Sequence, residues 1–206
     1  MVISSPDKNM KRYIYLLIIL SLFSRNFLHA GTSDFPQLYK QLEQVLALRQ
    51  ATALHKEARI DSLQQTIRPG MSASTLYQLY GQIFEEYYVY RSDSALFYVD
   101  QAEKMAIRLN DLQKQQQCII NRSLLLATTG YFSQALEQLN EINRAQVDST
   151  MLLSYYTAYE WVYSVWSEYS NDDVYAPQFR KKEVLYNDSM LQVLPRESNE
   201  YYLSLI

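Results

Sequence analysis

Beyond residue 30 the chain is a succession of apolar stripes at helical spacing, separated by short polar or glycine-containing breaks. Ala95, Val99, Ala102, Ala106 and Leu109 recur at i, i+4, i+7, i+11 and i+14, and at 3.6 residues per turn they share one helix face. This predicts a helix over residues 93–110, with Asp93 as its N-cap and Asn110 as its stop. The same reasoning predicts helices over residues 73–90, 112–128, 133–144, 148–169 and 175–193. Within residues 133–144, Ala135, Leu136, Leu139 and Ile142 face inward. Pro177 falls in the first turn of the last helix, where a missing N–H is harmless. Residues 36–68 read as one long helix, or two nearly collinear ones, ended by Pro69-Gly70.

The helices are periodic as well as frequent. Ser94-Ala95, Gln134-Ala135 and Tyr175-Ala176 each open a predicted helix after a polar or glycine-containing break, and their alanines lie 40 and 41 residues apart. A period in this range means stacked helix–turn–helix units, each burying its apolar face against the next. In such an array Ala95, Ala135 and Ala176 are expected to be buried where the two helices of each pair cross.

Composition narrows the class. Of 206 residues 48% are hydrophobic and 20% charged, so the chain can bury a sizeable core. Four glycines and five prolines are too few for an all-β protein with a turn every 8–12 residues or so. The net charge of −3 argues against a nucleic-acid or anionic-membrane surface in this segment. The one short basic run, Arg180-Lys181-Lys182, sits inside a helical pattern and reads as a solvated face.

The first thirty residues read as an address. Lys8, Lys11 and Arg12 form a basic start, residues 13–23 an apolar run of eleven, and Leu28-His29-Ala30 a cleavage region before Gly31. Eleven residues fall short of the roughly twenty needed to cross a hydrocarbon core, so residues 1–30 are read as a signal peptide, with an uncleaved anchor as the alternative. Without them the chain carries 15 basic and 21 acidic residues, a net of −6. Cys118, the single cysteine, is expected to be a small buried residue in a helix. Gly31 occupies the place where a bacterial lipoprotein would need its cysteine.

Catalytic chemistry is sparse. Of the two histidines, His29 lies in the signal and His55 in the first helix, so neither a histidine-based triad nor a zinc site can be assembled. Glu85 and Glu86 are adjacent and point to different faces, and Glu57 and Asp61, one turn apart, read as a solvated face. Asp172-Asp173 precede a helix and complement its positive end rather than bind metal. No phosphate-cradling glycine loop and no GxSxG is present. Accordingly no enzyme activity, cofactor or metal is expected.

Nineteen tyrosines remain to be explained. Tyr155, Tyr159 and Trp166 share one face of a predicted helix with Val162 and Tyr169, and Tyr163 lies on another face. A helix apolar on several sides is usually wedged between neighbours, so these rings are either core or the lining of a concave groove. Tyr77, Tyr80 and Phe84, with Tyr87 and Tyr88, invite the same two readings. Tyr77, Tyr80, Phe84, Tyr155, Tyr159, Tyr163 and Trp166 are the candidate ligand-binding residues.

The run Gly130-Tyr131-Phe132-Ser133-Gln134-Ala135 resembles the tetratricopeptide repeat, with its glycine-tyrosine element at the turn and an alanine at the helix crossing. Tyr80-Gly81 and Ser94-Ala95 are similar but carry two extra residues, and the third unit has Ala176 without the glycine. The resemblance implies an all-α, tetratricopeptide-like α-solenoid of about three antiparallel pairs plus a leading long helix. The domains are then a signal over residues 1–30, leading helix or helices over 31–72, and helical repeats over 73–206.

A second resemblance runs from about Leu38 to Asp111 and rests on Leu42-Glu43, Arg49, the run from Lys56 to Leu63, Tyr77 with Tyr80, and Tyr90-Arg91-Ser92-Asp93-Ser94-Ala95. These residues look like a group of membrane-bound regulators from Bacteroidota, in which an exported tetratricopeptide domain precedes a transmembrane helix and a cytoplasmic output region. It implies a non-catalytic periplasmic binding domain, the sensory part of a transcriptional or signalling regulator. The implied partner is a protein, a peptide or a small envelope ligand. No nucleic acid is expected in this segment, and the membrane only through the signal or a C-terminal transmembrane helix missing here. A soluble periplasmic scaffold and a glycan-binding uptake protein are the alternatives. Residues 198–206 open a new apolar-aromatic helix and stop, which points to a truncated last repeat.

Overall fold

The computed structural model describes residues 35–199 and 201. The signal segment expected over residues 1–30 lies outside them, as does most of the helix expected over 198–206. The chain divides at His55/Lys56 into two units. In the described part of the first, helix α1 (Phe35–Thr66) runs with its large apolar side chains exposed, among them Leu38, Leu42 and Leu46.

The second unit begins with the C-terminal part of α1 and continues through α2 (Ala73–Tyr88), α3 (Ser92–Arg108), α4 (Leu112–Thr128), α5 (Phe132–Asn140), α6 (Leu152–Ser170) and α7 (Ala176–Val193). Among the described residues all regular structure is helical, in agreement with the all-α solenoid expected. Helix α2 pairs with α3, α4 with α5 and α6 with α7, while α4 also packs on α3, and α6 on both α4 and α5. The pairs begin at residues 73, 112 and 152, which keeps the period read from the alanines.

Local chemistry sets the helix ends. Ser72 caps α2 by accepting from the Thr75 N–H at 3.1 Å, and Asp111 caps α4 by accepting from the Lys114 N–H at 3.1 Å. Helix α3 stops at Asn110, whose φ is +50°, and α4 stops at Gly130, whose φ is +88°. Both stops close the same way. Asp111 N–H donates to Ala106 O, and Asn110 N–H to Ile107 O. Likewise Tyr131 N–H donates to Leu126 O, and Gly130 N–H to Ala127 O, so the last carbonyls of each helix are satisfied. Asp172 accepts from the Val174 and Tyr175 N–H groups at 2.8 and 2.6 Å and serves the start of α7 through hydrogen bonds as well as charge.

Several local expectations are corrected. Helix α3 starts at Ser92, so Asp93 sits in its first turn, accepting from the Ser94 N–H at 2.8 Å, rather than at the N-cap. Helix α5 ends at Asn140 and α6 begins at Leu152. Between them Asn143 accepts from the Ala145 N–H and Asp148 from the Thr150 N–H. These side chains give the backbone a local alternative to the α-helix, and two 3₁₀ turns result, Arg144–Gln146 and Ser149–Met151. Gly81 lies in the middle of α2, inside the helix expected over residues 73–90 and away from the turn that Gly130 makes.

Two cores follow from the pairing. Ile60 packs with Ile83, Phe84, Tyr87, Ala95, Val99 and Cys118, and Ala135, Leu139, Tyr155, Ala158, Tyr159 and Val162 gather in the other. Ala95 and Ala135 are fully buried, as the crossing geometry requires. Ala176 is only half-buried and α7 has no buried residue, because α6 alone among the described helices packs closely on it.

Ion pairs fasten the elements of this unit. Glu86 of α2 receives Lys56 at 3.4 Å and Arg59 at 2.7 Å, and Arg91 reaches Glu57 at 3.5 Å. Arg122 of α4 holds Asp100 of α3 at 2.9 Å, Glu103 of α3, and Gln138 of α5 at 3.0 Å, so one guanidinium joins three helices. Burial lowers its proton affinity, and the hydrogen bonds and charges of Glu103 and Asp100 more than offset this.

Candidate functional site

Between α2 and α4, the first helices of their pairs, lies an open trough of about 550 Å³. From α2, Tyr77, Gln78, Gly81, Gln82, Phe84 and Glu85 enter its lining, and this spacing places them on one helix face. Gln117, Cys118 and Asn121 line it from α4, and Val99 and Ala102 of α3 form the floor. A second depression of about 230 Å³ continues it, sharing Phe84, Glu85 and Asn121 and adding Tyr88 and Leu124. The trough exists because α4 presents amide and small side chains there, and because Gly81 presents none. A Cβ built at Gly81 would meet nothing within 4 Å.

Hydrogen-bonding groups are concentrated on its walls. Gln117 donates its amide to the Asn121 side-chain oxygen at 2.9 Å, which leaves the Gln117 oxygen and the Asn121 amide for another partner. Gln78, Gln82 and Glu85 are exposed. Among the described residues no cation lines the trough. Lys114 lies 5.6 Å from the centroid of the Tyr77 ring and is engaged by Asp111, and Arg122 is engaged by its two carboxylates.

Burial, with the neighbouring Cys118 and Asp111 adding to it, pushes the Tyr77 phenol up to about 12. Burial likewise pushes the Cys118 thiol up to about 12. A thiol in that state is not a nucleophile near neutral pH. The trough is therefore equipped with donors, acceptors and ring faces for recognition, and its one thiol is protonated.

The structure separates the seven candidate residues into three places. Tyr77 and Phe84 line the trough, Phe84 from a buried position. Tyr80 is half-buried beside Tyr98, with ring centroids 6.1 Å apart. The other four lie in the packing around α6. Tyr155 and Tyr159 are buried, and Tyr159 donates to the Asn140 side-chain oxygen at 2.9 Å. Tyr159 and Tyr163 stack on Tyr186 of α7 at 4.5 and 5.8 Å, and Trp166 stacks on Phe179 at 4.2 Å and on Phe132 at 5.5 Å.

Reading the sequence by its aromatics passed over Gln78, Gln82, Gln117 and Asn121. A signal was present: each helix carries its amides four residues apart, on the face that also bears Tyr77 or Cys118.

Comparison with known proteins gives one match. The family model described as the SusR N-terminal TPR domain matches residues 46–205, more than three quarters of the chain. No curated protein and no solved structure matches it. Repeats of this type commonly mediate protein–protein interaction and are generally non-catalytic. The match extends through all three antiparallel pairs, including the third, which lacks the turn glycine, and the chain belongs to the family of SusR N-terminal TPR domains, a helical-repeat domain of regulator type.

Proposed function

We propose that this chain is the sensory part of a membrane-bound regulator, exported to the periplasm, and that it binds a protein, peptide or small envelope ligand without catalysis. The observation that carries this reading is the trough between α2 and α4, a concave surface with exposed polar side chains set over a buried apolar floor. The basic and apolar pattern of residues 1–30 supports export, and membership of a regulator-type repeat family supports a role in signalling. Among the described residues no helix is long and apolar enough to cross a membrane, so this reading assigns the anchor to a part of the regulator outside them.

Signalling then follows from differential binding. A ligand that spans α2 and α4 favours the stack in which these two helices hold their present separation, and it can shift the equilibrium only by its preference for that arrangement. Deletion of residues 31–206 in the chromosomal gene, followed by transcript profiling on a series of growth substrates, tests the role. A change in the profile is expected on at least one substrate. A profile matching wild type throughout would leave a periplasmic scaffold as the better account. N-terminal sequencing of the mature protein from the periplasmic or membrane fraction tests export, with a start at or near Gly31 expected.

A further inference from the structure

We infer that α1 is a self-association surface, through which two copies of this chain pair antiparallel along residues 35–53. The surface lies in the first unit and uses no residue of the trough. Phe35, Leu38, Tyr39, Leu42, Val45 and Leu46 are each more than half exposed. Together they present roughly 600 Å² of apolar surface, as much as the largest patch that a typical monomer leaves in water. A standard interface takes roughly 800 Å² from each partner, so one helix already carries most of what a stable dimer needs.

Spacing says that the cover is another helix. Phe35, Tyr39, Leu42, Leu46, Arg49 and Ala53 follow one another at alternating intervals of four and three residues. A repeat averaging about 3.5 residues keeps a seam facing one partner helix along its whole length. Lys56, Ile60 and Leu63 continue the same intervals, and in the second unit the seam is covered, with Ile60 packed among Ile83, Phe84, Ala95 and Val99. Over residues 35–53 it has no such cover among the described residues, where only Ala53 is as much as half-buried. The opposite face carries Gln37, Lys40, Gln41 and Gln44. With a single cation it lacks the basic character of a helix that lies on an anionic bilayer.

The seam is complementary to itself when reversed, which selects a second copy as its partner. In an antiparallel pair Leu42 meets Leu46, Tyr39 meets Arg49 and Phe35 meets Ala53, and two-fold symmetry makes each meeting occur twice. A large ring then stands opposite a methyl group. Arg49, which has no ion pair or hydrogen bond among the described residues, gains the face of a tyrosine ring. A parallel pair would set Arg49 against Arg49 instead. Glu43 meets its own copy only at the edge of the seam, where it is exposed and like charges repel weakly.

Sedimentation velocity of the purified full chain over a concentration series tests the surface, and disulfide trapping tests the direction. A monomer–dimer equilibrium is expected. Leu42→Arg should weaken it at least tenfold and leave the helical circular dichroism unchanged, because Leu42 is exposed; Leu46→Arg reads the same seam a second time. Phe35→Cys chains mixed with Ala53→Cys chains should crosslink on mild oxidation, and Ala53→Cys chains alone should not, the native Cys118 being buried. A single monomeric species at every concentration overturns the inference, as does association indifferent to both arginine variants. A disulfide between two Ala53→Cys chains would mean a parallel pair and overturns it too. Binding to vesicles of anionic lipid that Leu42→Arg abolishes, with no dimer in their absence, overturns it in favour of a membrane-surface helix. All these substitutions lie outside the trough, so each result leaves the proposed binding role to its own test.

Discussion

The first and third helix pairs are both rich in aromatic residues, yet the first borders an open trough on the side facing α4 and the third closes on itself. Along α6, Tyr159, Tyr163 and Trp166 meet rings from the facing helix: Tyr186 stacks on both tyrosines and Phe179 on the tryptophan. Along α2, Tyr77 and Phe84 meet α4, which answers with Gln117, Cys118 and Asn121. Rings opposite rings fill the space between helices, and short polar side chains opposite rings do not. An aromatic stripe therefore says little about a binding surface until the partner helix is known. Tyr87 makes the point within a single helix, since it stacks on Tyr98 at 5.8 Å and is buried in the first core.

The sharpest way to break this comparison is to remove one ring from each pair. Tyr159→Ala takes away a buried ring, its stack on Tyr186 and its hydrogen bond to Asn140, and is expected to cost about 3–5 kcal/mol. Tyr77→Ala removes a half-buried ring at the edge of an open trough and is expected to cost distinctly less. Urea unfolding of both variants measures the gap. Equal losses would mean that the two aromatic stripes play the same packing role.

A smaller effect separates the helix crossings. Ala135 is fully buried between α5 and its neighbours, so Ala135→Leu overpacks the crossing and is expected to destabilise by about 1–3 kcal/mol. Ala176, at the corresponding mark of the third pair, is only half-buried, and Ala176→Leu should be nearly silent. Matching shifts in the two unfolding midpoints would contradict the repeat register. Smaller still, and of opposite sign, is Gly81→Ala. It replaces a mid-helix glycine at a site with open space for a Cβ, and should stabilise by about 0.5–1 kcal/mol. A lower midpoint would mean that the position is not open.

How far the chain could be read in advance follows from the same contrast. The three pairs, the period and the burial of Ala95, Ala135 and Cys118 were legible because they depend on helical spacing and residue size alone. The end of α5 was not, since residues 141–144 continue its apolar pattern through Ile142. What ends it is the side-chain hydrogen bonding of Asn143, with that of Asp148 shaping the turn beyond. The turn glycine was read correctly at Gly130, where φ is +88°, and Gly81 falls inside the helix expected over residues 73–90; composition does not show that it clears space beside that helix. The trough was legible only in its ring-bearing half. Its amides look like any solvated helix face until α2 and α4 are known to lie side by side.

The finest distinction between the two pairs lies in their half-buried carboxylates. Glu160 of α6 is held above the ordinary carboxylate range, first by burial and then by the charge of Glu183 on α7. Glu86 of α2, by contrast, sits between Lys56 and Arg59. For Glu160 the folded protein keeps a proton that the unfolded chain releases. Its contribution to stability is therefore intact below the ordinary carboxylate range, falls as pH rises through it, and levels off once the folded-state carboxyl has also ionised. Glu160→Gln removes the charge and with it the penalty. At pH 7 the variant should be the more stable by no more than about 0.5 kcal/mol, and the advantage should shrink toward pH 4. Thermal unfolding of wild type and variant across this range measures the difference. A gain that does not depend on pH would trace to packing of the amide, and a loss at pH 7 would mean that Glu160 has a cationic partner when ionised.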